Sequence, residues 1–168
     1  SDRAWISDVC SPILPLPEIA FTDDRGRQLT LRDWHGKFVL LNIWATWCGP
    51  CRAEMSALDR LQARLGGENF EVLALSVDRA GIAAVSGFYK DYGIGRLRLF
   101  NDQSGGAARK LKIFGLPGTI LVDPQGREIG RIIGAVEWDA AEIIAFLRGI
   151  LEGTQERNGN DPLQKTGG

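Results

Sequence analysis

The chain has 168 residues, a length at which a single domain with one sizeable core is expected. Its composition, 44% hydrophobic and 24% charged, excludes a disordered, collagenous or disulfide-dense chain. With 20 Lys plus Arg against 21 Asp plus Glu the net charge is −1, so the sequence lacks the basic footprint of a nucleic-acid binder or of a protein drawn to an acidic membrane surface.

No uninterrupted apolar run approaches the roughly 18 residues that cross a bilayer, and Ser1-Asp2-Arg3 does not begin a signal peptide. A soluble chain is expected, with any anchor or export signal upstream of residue 1. Residues 1–16 read as an N-terminal extension carrying Cys10. Phe21 to Leu31 reads as a small β-hairpin with a polar turn. Phe38 to Ala45 is a nearly continuous apolar run of strand length, as expected of a strand buried on both faces, and Phe70 to Val77 has the same character. Between them Leu58, Leu61 and Leu65 recur at helical spacing before Gly66-Gly67, giving a βαβ unit with parallel strands.

Ile82, Val85, Tyr89 and Tyr92 mark a second helix ended by Gly93, and Leu97 to Phe100 alternate as a short strand. Ser104 is placed to cap a short helix running towards Leu111. Thr119–Val122 and Glu128–Ile133 flank the turn residues Asp123-Pro124-Gln125-Gly126, the pattern of an antiparallel pair. A closing helix starts near Asp139-Ala140-Ala141-Glu142 and buries Ile143, Phe146, Leu147, Ile150 and Leu151. From Glu152 the chain turns polar and reads as a disordered tail, which leaves 17–151 as the domain.

Cys48 and Cys51 form a Cys-Gly-Pro-Cys pair at the junction of a buried strand and a helix. There the sulfur of Cys48 lies beside the unpaired N–H groups and the positive dipole end of the helix, which favour a thiolate. Cys48 is therefore the expected nucleophile, and Cys51, one turn further in, the thiol that resolves a mixed disulfide. Pro50 suits a first-turn position, where no N–H donor is needed. Half of a zinc site is the competing reading, but only Cys10 and His35 remain as distant further ligands.

Trp44-Ala45-Thr46-Trp47-Cys48-Gly49-Pro50-Cys51 resembles the active site of the thioredoxin superfamily. The segments from Leu31 to Asn42 and from Gly115 to Thr119 resemble its exported TlpA/ResA/CcmG branch, TlpA-like proteins above all, over residues 17 to 151. The resemblance implies an α/β thioredoxin-like fold, with a mixed central sheet flanked by helices and an N-terminal β-hairpin. It also implies a periplasmic thiol-disulfide oxidoreductase, tethered to the inner membrane, that needs no cofactor or metal. Implied clients are proteins with a cysteine pair, an apocytochrome c or a copper-site protein of cytochrome oxidase, and the implied electron donor is a CcdA/DsbD-type membrane protein. A monomer is expected.

Pro before a strand is by itself most often a trans turn; the resemblance implies instead a cis Pro117 packed against the dithiol, with the Leu116 backbone free to pair with an extended client. Trp47 is expected to form an apolar rim, and Trp47, Gly49, Pro50, Leu116 and Pro117 together are the expected client-binding residues, whereas Trp44 reads as packing.

Ordinary thioredoxins carry a buried Asp six residues before the first cysteine, where this chain has Asn42, which cannot titrate. Asn42 reads as a buried hydrogen-bonding residue. Glu54 is in phase with Leu58, Leu61 and Leu65, so helical geometry turns it inward beside Cys51, where a partly buried carboxyl could take up a proton. A first-turn dipole or capping role is the alternative, and the resemblance implies the proton-handling one.

Ser56 stands where the family commonly has proline, and Cys10 reads as an inert thiol without an intramolecular partner. His35 has no identifiable acid–base partner and reads as a surface residue. The Gly-Pro dipeptide is that of thioredoxin, whose couple lies near about −270 mV against about −120 mV for an oxidising DsbA, so reduction of clients is expected. A copper-binding or redox-inert interaction module is the alternative, although Met55 is the only methionine. Nothing near Cys48 reads as the pocket of a thiol peroxidase.

Overall fold

The computed structural model describes residues 14–159. Seven strands form one mixed sheet: β1 (Ala20–Asp23), β2 (Gln28–Thr30), β3 (Phe38–Trp44), β4 (Phe70–Ser76), β5 (Phe100–Asn101), β6 (Gly118–Val122) and β7 (Glu128–Ile133). Their order is β2-β1-β5-β4-β3-β6-β7. Among the described residues there are four α-helices: α1 (Gly49–Leu65), α2 (Ile82–Tyr92), α3 (Gly106–Lys110) and α4 (Ala141–Gly159). A 3-10 turn, Leu31–Trp34, follows the β1–β2 hairpin.

β3 and β4 are the centre of the sheet and run parallel, in register from Phe38 opposite Phe70 to Trp44 opposite Ser76. Every residue of both strands is buried, the burial on two faces that their apolar runs require. Alternate side chains feed two cores. Leu40, Trp44, Val72 and Ala74 pack with α1, with Val85 and Phe88 of α2 and with Ile144 and Leu147 of α4. Val39, Leu41, Ile43, Leu73 and Leu75 pack on the opposite face with Phe21, Trp34, Phe100, Leu111 and Ile113. Phe21, Trp34 and Phe100 form an aromatic triangle there, with centroids 5.4–5.7 Å apart.

β6 runs antiparallel to β3, so its first residue, Gly118, lies opposite Ile43 near the end of β3. Gly118 also pairs with Ile133, the last residue of β7. Strand direction thus gathers at one end of the sheet the segments that follow β3, precede β6 and follow β7.

Three expected elements differ. The strand expected over 97–100 is reduced to Phe100–Asn101, because side chains satisfy the preceding backbone: Asp59 accepts from the N–H groups of Arg96 (2.7 Å) and Leu97 (3.0 Å), and Tyr89 donates to the Arg98 carbonyl. Helix α3 has Gly105, at φ 70°, rather than Ser104 as its capping residue; Ser104 Oγ instead accepts from Gly106 N at 3.0 Å, and Asp102 Oδ2 from Ala107 N at 2.7 Å. Helix α4 continues to Gly159, where the sequence suggests a disordered stretch from Glu152. Ordered pairing also starts before residue 17, since Leu14 O accepts from Glu128 N and Leu16 N donates to Gly126 O. Cys10 and the rest of the expected tail lie outside the described residues.

Candidate active site

Cys48 is the N-cap of α1, with extended backbone at φ −89° and ψ 114°. Its Sγ accepts from Cys51 N at 3.3 Å, and its carbonyl takes the first helical N–H, that of Arg52, at 3.0 Å. Gly49 and Pro50 occupy the first turn, both exposed. Cys48 and Cys51 form a disulfide with Cα atoms 5.2 Å apart. Cys51 is fully buried and Cys48 is 8% exposed, so Cys48 is the member of the pair that reaches the surface.

The segment leading to Cys48 is held by Asp78, just beyond β4. The buried Asp78 carboxylate accepts from Thr46 N (3.0 Å to Oδ2), Thr46 Oγ1 (2.6 Å) and Ser76 Oγ (2.6 Å). Asn101 Nδ2 in turn donates to the Asp78 carbonyl at 3.0 Å. Trp47, one residue after this clamp, is 70% exposed, while Trp44 is fully buried against Phe88 and Tyr89. The two tryptophans therefore divide as expected, Trp44 into the core and Trp47 onto the surface.

Glu54 lies one helical turn after Cys51 and is 3% exposed. Three N–H groups converge on its carboxyl: Asn42 Nδ2 on Oε1 at 2.8 Å, and Val136 N (3.0 Å) and Trp138 Nε1 (2.9 Å) on Oε2. Burial pushes its pKa above the ordinary carboxylate range, and the bonds from Val136, Asn42 and Trp138 offset only part of that rise. A carboxyl one turn from a buried thiol, with an elevated pKa, has the chemistry of a proton acceptor. Asn42 is also held by Thr119, its Nδ2 lying 3.0 Å from Thr119 Oγ1.

The Leu116–Pro117 peptide is cis. Pro117 is buried at the start of β6, its carbonyl accepting from Gly134 N at 2.7 Å, and Leu116 is half-buried. Phe114 (86% exposed) and Ile133 (53% exposed) stand at the same end of the sheet. His35 is exposed before β3, at the opposite end of that strand from Cys48, and Ser56 is exposed on α1. Among the described residues no group of three or more His, Cys, Asp or Glu side chains is arranged to hold a metal ion, and no helix is long and apolar enough to cross a membrane.

Sequence reasoning missed Asp78, Val136 and Trp138. Asp78 follows a buried strand and has no motif around it. Trp138 sits in the short connection between β7 and α4, where a tryptophan between Glu137 and Asp139, fully buried in the structure, was the available signal.

The family model described as AhpC/TSA matches residues 14–127, which include Cys48, Cys51, Glu54 and Pro117 but not Val136 and Trp138. The chain belongs to the AhpC/TSA family. Within that thioredoxin-like family, the thiol-disulfide oxidoreductase ResA of Bacillus thuringiensis subsp. konkukian is 34% identical over 118 residues, 70% of this chain and 67% of the relative. ResA of Oceanobacillus iheyensis is 34% identical over 133 residues, 79% of this chain and 67% of the relative. Among solved structures, a protein assigned as the thiol:disulfide interchange protein DsbE of Chlorobium tepidum superposes with a TM-score of 0.68 at 26% identity, over 82% of this chain and 94% of its own. With the Cys-Gly-Pro-Cys pair bonded at the start of α1, this family member is a thiol-disulfide oxidoreductase.

Proposed function

We propose that this oxidoreductase reduces disulfides of client proteins outside the cytoplasm, with Cys48 as nucleophile, Cys51 as resolving thiol and Glu54 as the group that takes the Cys51 proton. The observation that carries the reading is the asymmetry of the pair: Cys48 reaches the surface at a helix start, and Cys51 is sealed beside a buried carboxyl.

In the reduced protein the helix N-terminus stabilises the Cys48 thiolate. That thiolate attacks one sulfur of the client disulfide; a Cys48–client bond forms, the client S–S bond breaks, and one client thiolate leaves. Cys51 then gives its proton to Glu54, and its thiolate attacks the Cys48 sulfur. The mixed disulfide breaks, the second client thiolate departs, and two electrons have passed to the client, leaving the Cys48–Cys51 disulfide described above. A membrane donor of CcdA/DsbD type would return the dithiol state.

Trp47, Gly49, Pro50, Leu116 and Pro117 form the client-binding rim. The exposure of Trp47 and the half-exposed Leu116 beside the cis proline support that role. The resemblance of the Trp44–Cys51, Leu31–Asn42 and Gly115–Thr119 segments to the TlpA/ResA/CcmG branch favours clients in respiratory-chain biogenesis, an apocytochrome c or a copper-site protein, with the enzyme monomeric, periplasmic and tethered to the inner membrane.

Trapping tests the reading. Cys51→Ser expressed with an export signal should accumulate proteins covalently held on Cys48, released by reductant, and Cys48→Ser should hold none. A purified couple above about −180 mV, in the range of oxidising family members, would overturn the reductive direction.

A further inference from the structure

The buried amide of Asn42 has one end unused. Asn42 is fully buried, and among the described residues its Oδ1 finds no hydrogen-bond partner, whereas its Nδ2 donates to both Glu54 Oε1 (2.8 Å) and Thr119 Oγ1 (3.0 Å). Native proteins pair nearly all such atoms, so an orphaned buried carbonyl calls for a reason.

The donors around Glu54 supply one. All three groups bonded to its carboxyl are N–H donors, an arrangement suited to the carboxylate and to no other form. A protonated Glu54 must donate an O–H. Its Oε2 already faces two N–H groups, so the proton belongs on Oε1, where it would point at the Asn42 amide nitrogen and set donor against donor. A half-turn of the Asn42 carboxamide removes the conflict: Oδ1 takes the place of Nδ2 and accepts from Glu54 O–H and from the Thr119 hydroxyl, which changes from acceptor to donor. The nitrogen moves to the position where no partner stands now. Both states then carry the same number of bonds to the same two neighbours, and one amide end is unpaired in each.

We propose that Asn42 and Thr119 act as a hydrogen-bond rotor that lets Glu54 remain buried in both protonation states, turning as Glu54 takes and releases the proton. This rests on the proton role of Glu54 proposed above. The rotation itself breaks no covalent bond; the proton travels between the Cys51 thiol and Glu54 Oε1, and Asn42 is a positioning residue. Other titratable groups near Glu54 do not compete for the role. Glu137 is exposed, and Asp139 is engaged by Arg60 at 2.7 Å. No charged side chain contributes to the displacement of the Glu54 pKa, and Val136, Trp138, Asn42 and Thr119 are uncharged.

NMR titration of the oxidised, isotope-labelled protein is the direct test. The Glu54 carboxyl carbon and the Asn42 side-chain amide should titrate with one shared midpoint, the hydrogen-bonded Asn42 amide proton moving upfield as Glu54 is protonated. An Asn42 amide unchanged through the Glu54 midpoint refutes the rotor and leaves the proton role of Glu54 standing. Thr119→Val strands one Nδ2 proton in the carboxylate state while Oδ1 keeps its Glu54 partner in the acid state. The Glu54 midpoint should therefore rise in this variant, and Thr119→Ser should restore it; an unmoved midpoint in folded Thr119→Val counts against the rotor. Separately, a Glu54→Gln protein that resolves mixed disulfides at the wild-type rate overturns the proton role itself.

Discussion

Trp138 gives the sharpest quantitative handle on the site. Its indole N–H donates to Glu54 Oε2 at 2.9 Å from a fully buried position. Phenylalanine at this place keeps an aromatic ring and deletes the donor. A hydrogen bond to a charged acceptor contributes about 1.5–3 kcal/mol, against about 0.5–1.5 kcal/mol when the acceptor is neutral. Trp138→Phe should therefore cost the carboxylate about 1–1.5 kcal/mol more than the acid, and at about 1.4 kcal/mol per pKa unit the Glu54 midpoint should rise by about one unit. The direction adds to the rise that burial already imposes. Carboxyl-selective NMR on the oxidised protein reads the midpoint, and the pH profile of mixed-disulfide resolution should move with it. A midpoint that stays in place, or falls, in a variant with the native amide spectrum elsewhere would refute the claim that the indole donor holds the ionised form.

Stability should carry the same signature. A carboxyl with a raised folded-state pKa binds its proton in the native state over a range in which the unfolded chain has released it, so native stability falls as pH climbs from the ordinary carboxylate value, about 4.3, through the raised midpoint. Thermal unfolding of the oxidised protein across that range should show this slope in the wild type and its loss in Glu54→Gln. Asp78→Asn replaces one acceptor oxygen of the Thr46–Ser76 clamp by a donor and should cost about 1–3 kcal/mol by denaturant titration, with slower attack by Cys48 as Trp47 and Cys48 lose their fixed approach. Phe100→Ala opens a hole in the aromatic triangle on the other face of the sheet and should cost about 3–5 kcal/mol, while the potential of the dithiol stays that of the wild type. Arg60→Ala breaks only a partly exposed pair with Asp139 and should change stability by less than about 1 kcal/mol.

The parts of the fold that the sequence makes legible are those where one pattern dominates. The runs at Phe38 and Phe70 have the length and continuous apolar character of strands buried on both faces, and the leucines after Cys51 fix both the helix and the inward direction of Glu54. Segment 97–100 misleads because its alternation is real but its backbone is claimed by Asp59 and Tyr89, partners remote in the chain. The extension of α4 past Leu151 escapes a reading based on burial, since a helix end needs no buried face once Glu, Gln and Arg continue it. Within the site, Cys48, Cys51 and Glu54 are announced by local spacing. Val136 and Trp138 are delivered by the pairing of Gly118 with both Ile43 and Ile133, a tertiary fact that no local window contains.

Ser56 makes α1 mechanically simple. Proline at that position would remove an amide donor and bend the axis; serine leaves the helix unbroken from Gly49 to Leu65, a rod of about 25 Å at 1.5 Å per residue. Beyond its first turn the helix therefore has no missing amide donor between the dithiol and Leu65. The Ser56 amide then exchanges with solvent deuterium only when the rod itself opens, so its exchange rate reports the integrity of the helix that carries both thiols.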